Sequence, residues 1–226
     1  MKKLTFVVSI LAFIVAPALG QNQPAAQATA KIGYIYALEQ DVPTVILSQA
    51  IKTPTGKGLF IDVSVECGLV TDTWVQSKKG NKNTATAEAS VVVWVTVDGA
   101  PHYAEPGHVV FCRRTQELTA TFSGLLSLCV DPATGIIDPA CFEFLQPEEI
   151  GLLLDTMSAN SFNFYYGLET SGVHTVEVWA QIGTTTSVSG LDQEAHFAQA
   201  EALIGKGSVT INLVRLIKDE DVVDLP

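Results

Sequence analysis

Strict alternation of apolar and polar residues limits this chain to folds built from half-buried strands. In LFIDVSVEC, Leu59, Ile61, Val63 and Val65 share one face, and Asp62, Ser64 and Glu66 the other. That period of two belongs to a strand with one side in a core. A second row follows, with Val91, Val93, Val95 and Val97 opposite Ser90, Trp94 and Thr96. It ends at Asp98-Gly99, a turn signal. GVHTVEVWAQI (172–182) repeats the pattern through Val176, Val178, Ala180 and Ile182. SVTINLVRLI (208–217) supplies a closing strand, and a parity change near Leu213-Val214 predicts a bulge there.

Shorter runs fill the intervals. IGYIYAL (32–38), TVILSQAI (44–51), HVVFCRR (108–114) and ELTATF (117–122) read as strands, the last with Leu118, Ala120 and Phe122 facing inward. KKGNKN (78–83) reads as a loop, and the two prolines of APHYAEPG (100–107) exclude a regular central strand. AHFAQAEALI (195–204) suits either helix or strand and is assigned to strand. In PEEIGLLLDTMSAN (147–160), Pro147 suits a first helical position, with Glu148 and Glu149 at the positive helix end. Ile150, Leu153, Leu154 and Met157 then fall at helical spacing, which predicts one short helix over 147–158. Strands separated by turns, one helix and no βαβ rhythm predict an all-β, jelly-roll-like β-sandwich. It forms a single domain over 32–218, with a flexible leader at 21–31 and an acidic tail at 219–226.

Location is read from the start of the chain. Lys2 and Lys3, an apolar run from Leu4 to Pro17 and the small residues Ala18 and Gly20 form a signal peptide, with cleavage expected before Gln21. The protein is expected to be secreted, to the exterior or a periplasm, with no membrane insertion after cleavage. A net charge of −11 argues against nucleic acid as a partner. Four cysteines, Cys67, Cys112, Cys129 and Cys141, favour disulfides in an oxidising compartment, and no C-x-x-C spacing suggests zinc or redox chemistry. Three pairings are open. The favoured one joins Cys67 to Cys112, tying two strands, and Cys129 to Cys141, closing the turn-rich VDPATGIIDPA.

TAEASVVVWVTVDG, PGHVVFCRR, SGVHTVEVWAQI and IGKGSVTINLVRLI together resemble, in strand pattern, the jelly-roll modules of tumour-necrosis-factor-like and phage-tail-type proteins. The resemblance covers residues 59–217 and implies homotrimers and a binding role. The four cysteines and the expected helix depart from that pattern, and no site motif allows a functional residue to be carried over.

Catalytic motifs are absent. There is no G-x-S-x-G, H-E-x-x-H, P-loop or dinucleotide fingerprint, and His102, His108, His174 and His196 form no triad order. The chain is read as no enzyme, with a glycan hydrolase the remaining catalytic alternative, and no cofactor is expected. His102, Glu105 and His108 in HYAEPGH could converge on a metal, but their spacing fits a solvated loop better, and no metal is assigned. Asp131 with Asp138, or Asp219-Glu220-Asp221, lack the ordered spacing of a calcium loop. The binding hint is aromatic. Parity places Trp94, Trp179 with Glu177, and Trp74 on faces opposite the apolar rows. Such rings can stack on sugars beside hydrogen-bonding carboxylates, or lie covered by another element or subunit. The expected function is a secreted, non-catalytic structural or surface-interaction protein, self-associating or binding an extracellular protein. The alternative is a carbohydrate-binding module-like protein that takes a polysaccharide on Trp74, Trp94, Trp179 and Glu177.

Overall fold

The valine row at 91–97 is fully buried, and it sits in one of two antiparallel sheets that face each other. The computed structural model describes residues 28–34, 38–77, 82–120, 130–131, 133–136, 148–190 and 196–215. Its strands are β1 (Ala28–Tyr34), β2 (Thr44–Thr53), β3 (Gly58–Ser77), β4 (Asn83–Val97), β5 (Val109–Ala120), β6 (Glu148–Gly167), β7 (Gly172–Ser189) and β8 (His196–Val214). The first sheet has the order β1-β8-β3-β6 and the second β2-β7-β4-β5. Pairing is nested: β1 with β8, β2 with β7, β3 with β6, β4 with β5. The expectation of an all-β sandwich holds.

The core is where the alternating rows meet. Leu59, Ile61, Val63 and Val65 of β3, with Val209 and Ile211 of β8, pack against Val91 to Val97 of β4 and Val176 and Val178 of β7. Each such side chain removed from water contributes ~1.5–3 kcal/mol, so these rows fix register: a one-residue slip would turn them all outward. Toward the far end of β3 the interior becomes polar. Thr71, Thr73 and Gln116 are buried there and bond to one another across the two sheets.

Several sequence expectations are corrected. No helix occupies 148–158; those residues belong to β6, paired with β3 over its whole length without a register shift. The apparent helical stripe is split between two faces. Ile150 and Leu154 lie on the face of the buried Phe164, and Leu153 and Met157 on the other. A strand apolar on both sides imitates helical spacing, and pairing to β3 decides the outcome over local propensity. The segments read as HVVFCRR and ELTATF belong to one strand, β5 (Val109–Ala120), rather than two, and Thr121 and Phe122 lie outside the described residues. Ala28–Lys31, read as the end of a leader, pair with β8. The ambiguous 196–204 segment is strand, continuous with the closing one in β8. Its bulge is not at Leu213-Val214, where pairing is regular, but at Gly205-Lys206, which together oppose Glu66 alone. Buried positions switch there from Ala202 and Ile204 to Gly207, Val209 and Ile211. The Lys206 amide donates to Glu66 Oε2 at 3.0 Å, which satisfies a bulged N–H. The signal peptide, the loop over 78–81 and the acidic tail at 219–226 lie outside the described residues.

Candidate functional site

The outward residues of β4 and β7 meet in register, Trp94 opposite Trp179 and Thr96 opposite Glu177. The two indole rings are nearly parallel, at 9° with centroids 6.3 Å apart. Trp179 Nε1 donates to Thr96 Oγ1 at 3.0 Å, and that hydroxyl faces Glu177 Oε2 at 3.5 Å. Parity therefore placed these residues on the right face, but their exposure differs. Trp94 is only 5% exposed, because His108 lies over it at 4.5 Å between ring centroids, with Tyr103 5.7 Å beyond. Residues 103–108 thus supply a cover, carried in by the Asp98-Gly99 turn. Asp98 and Gly99 adopt positive φ (57° and 84°), and backbone bonds from His102 and Ala104 return the chain to the β4 edge. Trp179 and Glu177 stay half-buried and reach the surface.

Trp74 lies elsewhere. It projects from β3 on the outer face of the other sheet, between Gly151 of β6 and Phe197 of β8. The three tryptophans therefore form no single platform. Trp74 instead joins a partly exposed apolar surface with Phe197, Leu153, Met157 and Leu203, where Met157 and Leu203 close over Gly68.

The same 98–102 turn forms one wall of a 440 Å³ cleft lined by Asp98, His102, Tyr166, Glu169, Thr170 and His174. Sequence reading missed its central pair. His174 Nδ1 meets Asp98 Oδ2 at 2.7 Å, and Nε2 faces the Thr170 carbonyl at 3.3 Å. The Thr175 amide donates to Asp98 Oδ1 at 2.8 Å. Burial works to raise the Asp98 carboxyl, but the Thr175 amide and the His174 ring outweigh it and hold it below the usual carboxylate range. Burial, with the charges of Asp98 and Glu169, pushes the Tyr166 phenol up. The signal for the pair was present as a turn-ending Asp and an inward His, but 76 positions separate them. Only the β4–β7 register brings them together.

Metal ligation finds no constellation among the described residues. His102, Glu105 and His108 diverge: His102 lines the cleft, His108 stacks on Trp94, and the Glu105 backbone pairs with Tyr165. Asp131 turns its carboxylate onto the Ala133 amide and the Thr134 hydroxyl, which hold it below the usual range. Asp138 and residues 219–221 are outside the described residues.

Cys67 of β3 and Cys112 of β5 stand as free thiols in contact across the sandwich. That contact holds Cys67 below the usual thiol range against the effect of burial, and together with burial drives Cys112 up. Cys129 and Cys141 lie outside the described residues.

A scan against protein-family models, a search of curated proteins and a search of solved structures return no match to this chain.

Proposed function

We propose that this is an exported, non-catalytic protein of jelly-roll connectivity that works through its β surfaces. The nested strand pairing supports the jelly-roll reading. The observation that carries the non-catalytic reading is the state of His174 in the cleft. His174 is 6% exposed, and its two ring nitrogens sit against Asp98 and the Thr170 carbonyl inside the fold, which turns the ring to internal contacts and away from a bound molecule. The pair instead clamps the Asp98 turn to β7. Export into an oxidising space would let Cys67 and Cys112 close as a disulfide between the sheets, the role expected of them in the sequence. The test is a panel of chromogenic esters, glycosides and peptides with wild type and His174→Gln. No turnover distinguishing the two is expected. Wild-type turnover that His174→Gln abolishes, in a variant with unchanged circular dichroism, would overturn the reading.

A second reading, polysaccharide binding, is favoured by the half-exposed Trp179 beside Glu177. It narrows the earlier set, because Trp94 is covered and Trp74 is on the opposite sheet. On this reading Trp179→Ala weakens retention on a polysaccharide affinity gel while Trp74→Ala leaves it intact. Loss of ring stacking of this kind is worth ~0.5–1.5 kcal/mol beyond area. Equal retention of wild type and Trp179→Ala would remove it.

A further inference from the structure

We infer that β6 is the strand through which two copies of this chain pair edge to edge into one continuous sheet. The inference rests on the surface-interaction reading and names its partner. Residues 149–159 are exposed at every position, on both faces of the strand. Among them are Ile150, Leu152, Leu153, Leu154 and Met157, with Leu153 63% and Met157 61% exposed. An edge strand of 20 residues with an 11-residue stretch, 149–159, wetted on both sides and this apolar, is a template for another strand.

The other three edges are guarded. β1 has 7 residues and carries Lys31. β2 is bulged at Ile46 and carries Lys52. β5 is bulged at Phe111 and carries Arg113, Arg114 and Glu117. β6 has no bulge against β3, no proline and no lysine or arginine. Among the described residues, the backbone that pairs with its free edge is that of Glu105, bonded to Tyr165 at 2.8 and 2.9 Å.

Charge selects the partner. Between Ile150 and Tyr165 the strand holds one charged residue, Asp155. Two chains of net charge −11 can therefore meet here without facing rows of like charge. An antiparallel pair about a twofold axis matches each edge N–H to the copy's C=O, because the same edge serves both partners. A register centred on Met157 sets Asp155 opposite Ala159, Met157 opposite its own copy, Leu152 opposite Phe162 and Ile150 opposite Phe164.

The test is the solution mass of the full chain by light scattering across a concentration series, with Leu153→Lys/Met157→Lys and Ile32→Lys alongside. These positions are exposed, so the substitutions leave the core intact. Wild type and Ile32→Lys are expected at twice the chain mass, and the double lysine variant at one chain mass with unchanged circular dichroism. A monomeric wild type, a trimer, or a dimer that survives the double lysine change would overturn the pairing. A monomer without turnover sinks the pairing alone. A dimer with His174-dependent turnover sinks the proposed function alone.

Discussion

Oxidation of Cys67 and Cys112 is expected to raise the melting temperature on the order of 10 °C, the largest single effect in this molecule. The two residues sit on facing strands of opposite sheets with their thiols in contact. The bond would close a loop of about 45 residues, for which lost chain entropy in the unfolded state is worth ~4 kcal/mol. Chemistry favours the same outcome. Cys112 is the more accessible of the two thiols, and a small disulfide oxidant that exchanges with the pair takes up the two electrons and two protons and leaves as a dithiol. A Cys129→Ser/Cys141→Ser background isolates the pair, so that mass spectrometry and thiol titration report it alone. The oxidised protein should be two hydrogens lighter, carry no titratable thiol, and lose its added stability in reductant. Two free thiols after equilibration with an oxidised glutathione buffer would contradict the assignment.

Gln116→Ala should cost about 3 kcal/mol, because it orphans several groups at once in the polar end of the core. Gln116 accepts from Thr71 Oγ1 at 2.7 Å, and its amide nitrogen donates to Thr73 Oγ1 at 2.5 Å and to the Leu152 carbonyl at 2.6 Å. One β5 side chain thereby joins β3 and β6, next to Arg114, which donates to the carbonyls of Leu69 and Leu154. All three side chains in the Gln116 network are at most 5% exposed, so water cannot replace the lost partner. Removing the whole network should be milder than breaking it. Thr71→Val/Thr73→Val/Gln116→Leu is expected to melt above Gln116→Ala in chemical denaturation, since no buried hydroxyl is left without a partner. A triple variant less stable than the single one would show that Gln116 acts by filling space.

Where one face was buried and the other wet, the sequence was sufficient. The rows in β3, β4 and β7 have the faces their alternation implied, and the nested sandwich follows from bringing those faces together. The failures share a cause. In β6 both faces are apolar and exposed, so period two vanishes and Ile150, Leu153, Leu154 and Met157 mimic a helix. In β8 the parity switch was sought at Leu213-Val214, yet it is Glu66 that meets two residues, Gly205 and Lys206. Nothing in β8 alone reveals what stands opposite. The candidate sites divide the same way. Parity set Trp94, Trp179 and Glu177 on one outer face, but the cover of Trp94 by His108 and the Asp98–His174 clamp depend on register between distant segments.

The edge pairing and the Gln116 network both require residues 148–167 to be strand, against the local helical signal. Backbone chemical shifts of the isotopically labelled protein test that most directly. Cα resonances upfield of random coil from Glu148 to Gly167, with cross-strand contacts from Met157 to Gly68, are the expected result. A run of downfield Cα shifts over 148–158 would mean a helix there, and β6 with everything built on it would fall.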